Sequence, residues 1–80
     1  MDSKIAVIAI IVSDLSAVEK INAILHDFGE HIIGRMGIPY KEKGVNVISV
    51  VLDASKETIN SLSGKIGMIS GVSSKVLLAK

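Results

Sequence analysis

Two runs of branched aliphatic residues set the plan of this chain. Ile5-Ala-Val-Ile-Ala-Ile-Ile-Val12 has no polar position at all, and Val45-Asn-Val-Ile-Ser-Val-Val-Leu52 is nearly as apolar. Eight such residues are too few to cross a bilayer, and they predict strands buried on both faces at the centre of one sheet. The first strand is expected over Lys4–Ser13, with Ile5, Val7, Ala9 and Ile11 on one face and Ala6, Ile8, Ile10 and Val12 on the other. The third extended segment is expected over Val45–Asp53. Its set Ile48, Val50 and Leu52 should face the helices, and its set Val47, Ser49 and Val51 should lie on the far side.

Between these runs the apolar period changes to that of a helix. Val18, Ile21, Leu25 and Phe28 predict a helix ending at Phe28, with Gly29 as its stop. Ser16 with Glu19 matches a capping box, and Asp14 competes as the N-cap. Glu30–Tyr40 is extended but carries two glycines and Pro39. This places it at the sheet edge, with a bulge or bend near Gly34 or Gly37. Lys41-Glu-Lys-Gly44 should turn it back as a hairpin. Ala54-Ser-Lys-Glu57 opens a second helix with Ser55 as N-cap and Ile59, Leu62 and Ile66 as its buried stripe. Gly64 within it costs about 1 kcal/mol relative to alanine. It either allows close approach to the sheet or ends the helix early. Gly67 is the expected C-terminal cap. Ser70-Gly71 then turns into a final edge strand over Val72–Ala79.

The order strand, helix, strand, strand, helix, strand predicts an α+β fold. It is a ferredoxin-like βαββαβ unit: a four-stranded antiparallel sheet with two helices on one face, joined by right-handed crossovers. All 80 residues form one domain. The first and third strands fall at the centre, and the second and fourth at the edges. The other face of the sheet then carries Val47, Ser49, Val51 and half of the first strand, which a second copy is expected to cover.

Composition strengthens that expectation. Hydrophobic residues make up 49% of the chain, yet Phe28 and Tyr40 are the only aromatics and there is no cysteine. A domain this small buries only roughly 60% of its unfolded surface, and self-association is the usual remedy for surplus apolar area. The expected state is a homo-oligomer, dimer or tetramer. A net charge of +1 gives no electrostatic pull toward nucleic acid. The central strands also lack the aromatics that an RNA-binding sheet displays, so no direct nucleic-acid binding is expected. The N-terminus lacks a charged n-region and a cleavage site, so a cytoplasmic protein without membrane attachment is expected.

Chemistry-bearing residues are few. His26 and His31 flank the end of the first helix near Glu19, Asp27 and Glu30. Their spacing matches no ligand motif, and surface histidines without metal are expected. Ser13, Ser16, Ser55 and Ser70 stand where caps and turns want them. Asp14 and Asp53 follow antiparallel strands and so lie at opposite ends of the sheet. Gly64-Lys65-Ile-Gly67 lacks the spacing of a phosphate loop. No enzyme and no cofactor is expected. Gly34-Arg35-Met36-Gly37 remains. Its glycines let a ligand approach the backbone, and Arg35 offers a bidentate fork to a carboxylate or phosphate. The same residues also fit an edge bulge whose arginine is solvated or lies in a subunit interface.

Gly34-Arg-Met-Gly-Ile-Pro-Tyr40, the strand after it, and Leu62-Ser-Gly-Lys-Ile-Gly-Met-Ile-Ser-Gly-Val72 resemble the small iron-only hydrogenase system regulators over nearly the whole chain. The resemblance implies an ACT-like fold, similar to the sensing domain of the nickel-responsive repressor. It also implies a regulatory role exerted through a small-molecule effector or a protein partner such as a hydrogenase maturation protein. ACT-type ligand sites lie between the edge segment and the loop before the first helix, often across a dimer interface. That adds Asp14 and Leu15 to Gly34, Arg35, Met36 and Gly37 as ligand-binding candidates. The chain departs from amino-acid-binding members in having Leu15-Ser16 where they carry Pro-Gly. It also places only Met1-Asp-Ser before the first strand, where the nickel repressor has a DNA-binding module. A sensor, a structural oligomerisation or docking unit, and a small enzyme are the three function classes to weigh, in that order.

Overall fold

The computed structural model describes residues 2–80; Met1, part of the expected leader-free terminus, lies outside them. The strands are β1 (Ser3–Val12), β2 (Ile32–Tyr40), β3 (Val45–Ser55) and β4 (Val72–Leu78), and the helices are α1 (Val18–Asp27) and α2 (Lys56–Gly67). They form one antiparallel sheet in the order β2-β3-β1-β4. The two most apolar strands are therefore central, and Pro39 sits on an edge strand, where a missing N–H costs least.

Register decides which residues share a face. Ala6, Ile8 and Ile10 lie opposite Leu52, Val50 and Ile48 of β3. On the other side of β1, the same residues pair with Leu78, Val76 and Ser74 of β4. This set packs with Ile21 and Leu25 of α1 and Ile59, Leu62 and Ile66 of α2 into a single core. The expectation that β1 is buried on both faces fails within one chain. Ala6, Ile8, Ile10 and Val12 are fully buried, whereas Ile5 and Ile11 on the opposite face remain 43% and 48% exposed. Both helices lie against one side of the sheet, and nothing among the described residues covers the other.

Element ends show where tertiary contacts modify local signals. The Ser16–Glu19 capping box does not form. The Asp14 carboxylate instead accepts hydrogen bonds from the Ser16 N–H and hydroxyl, capping a 3-10 turn over Leu15–Ala17. α1 follows from Ala17 with no side-chain cap. Burying Ile21 and Leu25 contributes roughly 1.5–3 kcal/mol each, more than the ~1 kcal/mol typical of a cap. The helix can therefore do without one. α2 begins as expected: Ser55 Oγ accepts the Thr58 N–H at 3.1 Å. Gly64 neither ends α2 nor permits a close approach, because α2 runs on to Gly67 and a Cβ at Gly64 would meet no atom within 4 Å. Gly29 and Gly67 do not adopt the left-handed conformation of a glycine cap. Only Gly44 (φ 65°) and Gly71 (φ 81°) do so among the described residues, both in turns. Glu30 and His31 belong to a 3-10 turn rather than to β2. The expected irregularity in β2 lies between Ile32 and Gly34, where Ile33 is the extra residue opposite β3 and is thrown outward.

Candidate functional site

Alternation splits β2 into two sets. Arg35 and Gly37 pair with Val50 and Ile48 and so lie on the helix side of the sheet. Gly34 and Met36 pair with Val51 and Ser49 on the open side. The four adjacent residues thus do not act as one patch.

On the helix side, α1 stops short of covering the edge strand and leaves a groove of about 210 Å³. Val18, Ile48 and Pro39 supply apolar walls. Asn22, Asn46 and Arg35 supply the polar groups, and the groove also reaches Gly37 and Ile38. Gly37 contributes backbone without a side chain, and a Cβ there would meet no atom within 4 Å. The Arg35 guanidinium donates to Asn22 Oδ1 at 2.8 Å, tying β2 to α1. Among the described residues, Arg35 is the only ionisable group lining this groove. Asn22, not singled out from the sequence, is a site residue by this contact. Its helical spacing placed it on the outer side of α1, and only the position of β2 gives it a partner.

Asp14 and Leu15 do not join this groove. Asp14 sits beside the turn before β4: its N–H and the Ser13 N–H both donate to Gly71 O, at 3.4 and 2.8 Å. The Ser13 hydroxyl donates to the same oxygen at 3.0 Å. The bonds from the Ser16 hydroxyl, then from the Ser16 N–H, hold the Asp14 carboxyl below the usual carboxylate range, with Lys20 adding to the effect. Leu15 is 55% exposed on the 3-10 turn. Within one chain the candidate ligand residues therefore divide three ways: Arg35 and Gly37 at the β2–α1 groove, Gly34 and Met36 on the open face, and Asp14 and Leu15 at the β1–β4 end of the molecule.

Val47, Ser49 and Val51 lie on the open face, beside Ile11, Ala9 and Val7 of β1. Met36, Ile38 and Tyr40 extend this face on β2, and Leu77 extends it on β4; all four are substantially exposed. Alternation along β3 and β4 puts two charged side chains on it, Asp53 opposite Ile5 and Lys75 opposite Ala9. His26 is exposed and His31 half-buried. No group of three His, Asp or Glu side chains among the described residues could hold a metal ion. No helix among them is long and apolar enough to cross a membrane.

The family model "TM1266-like: Iron-only hydrogenase system regulator, putative" matches residues 4–76. The chain belongs to this family. Among solved structures, the uncharacterized protein TM1266 from Thermotoga maritima is similar over 99% of this chain and 100% of its own length. It has 36% sequence identity and a TM-score of 0.94. No curated protein matches the sequence. The similarity to TM1266 spans both the groove and the open face, so each lies within the architecture the two proteins share.

Proposed function

We propose that the protein is a non-enzymatic, cytoplasmic regulatory module of the iron-only hydrogenase system. On this reading it works as a homo-oligomer joined across the open face of its sheet, and it senses a small molecule in the groove between α1 and β2. The family description supports the regulatory assignment. The observation that carries the mechanism is the open face itself: Ile5, Ile11, Met36, Ile38, Val47 and Leu77 are each at least 39% exposed on one face of the sheet. Four strands spaced roughly 4.8 Å apart make this a patch of several hundred Å², at the upper end of what monomers leave in water.

A second copy is the occupant that this face suits best. An isologous contact places apolar surface on apolar surface, and it offers the single Lys75 a carboxylate, Asp53, that the same face supplies. Ala9 and Ser49 keep the centre of the face low, which lets two sheets approach closely.

Sedimentation velocity over a range of concentrations tests this. The native chain should sediment as a dimer or tetramer. Val47→Lys should sediment as a monomer with an unchanged far-ultraviolet circular dichroism spectrum, since Val47 touches no part of the helix-side core. A native chain that stays monomeric throughout would overturn the self-association and leave the face to a different protein partner.

A further inference from the structure

We infer that the groove between α1 and β2 is a binding site for a small aliphatic monocarboxylate. This rests on the sensing half of the proposed function and names its ligand class. Among the described residues Arg35 is the single ionisable group lining the groove, so the groove favours an anion, and one guanidinium balances one negative charge. A dianionic phosphate would keep an uncompensated charge against the apolar walls formed by Val18, Ile48 and Pro39. No aspartate or glutamate lines the groove to receive an ammonium group, which disfavours an amino acid relative to the plain acid.

The geometry assigns a role to each remaining residue. Asn22 Oδ1 holds the Arg35 guanidinium by one 2.8 Å hydrogen bond. It thereby orients the fork, while the other guanidinium N–H groups remain for a carboxylate. The Asn22 and Asn46 amides are further donors at the groove wall. The missing side chain at Gly37 leaves room on β2 for the aliphatic tail. The groove and the open face lie on opposite sides of the sheet, so association across that face leaves the groove accessible.

The test is a titration of the full chain with isovalerate, valine and inorganic phosphate at matched ionic strength. It is followed by backbone and side-chain amide shifts in nitrogen-15 NMR. Isovalerate should give saturable shifts at Gly37 and at the Asn22 and Asn46 side-chain amides, and valine and phosphate should bind more weakly. Arg35→Met should weaken isovalerate binding at least about tenfold, since a charge-assisted hydrogen bond is lost. Gly37→Val, which fills the groove with a residue that suits a strand, should abolish binding while the rest of the spectrum is retained. Unsaturable shifts, tighter binding of phosphate or valine, or equal affinity in Arg35→Met would each overturn the assignment. Sedimentation of the same samples separates the two readings: a failed titration with intact self-association removes the ligand and leaves the oligomer standing.

Discussion

At Gly71 a single methyl group decides whether two turns fit together. Its φ of 81° is strained for an L side chain, and a Cβ there would collide with the Asp14 side chain and come within 3.3 Å of the Asp14 nitrogen. Gly71→Ala is therefore expected to lose ~1–3 kcal/mol in denaturant unfolding. Gly64→Ala should instead gain ~0.4–1 kcal/mol, because its helical backbone is unstrained and nothing occupies the space. Asp14 itself links this turn to pH. Its folded pKa lies below its unfolded value, so the unfolded chain binds the extra proton between the two. Its contribution is complete above the ordinary carboxylate range and disappears as pH falls through the lowered folded value. Asp14→Asn should thus flatten the acid limb of the stability–pH curve while leaving its neutral plateau lower. An unchanged acid limb would contradict the Ser16 hydrogen bonds as the cause.

The two helices differ in how they begin, and this predicts unequal sensitivity. Ser55 caps α2 through the Thr58 N–H, so Ser55→Ala should cost ~1 kcal/mol by chemical denaturation. Ser16→Ala should cost less, because the N-cap of α1 is Ala17 and the Ser16 hydroxyl only donates to Asp14. The sequence pattern S-x-x-E at this point reads as a capping box. The 3-10 turn over Leu15–Ala17 moves the helix start on by one residue, to Val18, and Asp14, pinned beside Gly71, captures the serine first. Signals that depend on a neighbour two to four residues away were legible at Ser55 and in the hairpin at Gly44, but not at Gly29 and Gly67, whose expected left-handed glycine caps do not form.

For the whole molecule, the two faces of β1 should respond differently to the same substitution. Ile10→Ala empties a fully buried position and should cost ~2–5 kcal/mol at every protein concentration. Ile11→Ala touches a half-exposed position on the open face. Its cost should be small at low concentration and grow as the chain associates, which thermal melts at several concentrations would show. Equal and concentration-independent costs would mean that the open face has no partner.

By itself the sequence determined the order of the elements, the central placement of β1 and β3, the edge position of β2 and the presence of an irregularity in it near Gly34 or Gly37. All of these follow from apolar periodicity, proline and glycine within a few residues of one another. Only the tertiary structure decided which face of β1 is left open, that Arg35 is held by Asn22, and that Asp14 belongs to the Gly71 turn rather than to the groove. Those two hydrogen-bonded contacts join residues 13 and 57 positions apart. They depend on how the helices stack against the sheet, which no local run of residues encodes.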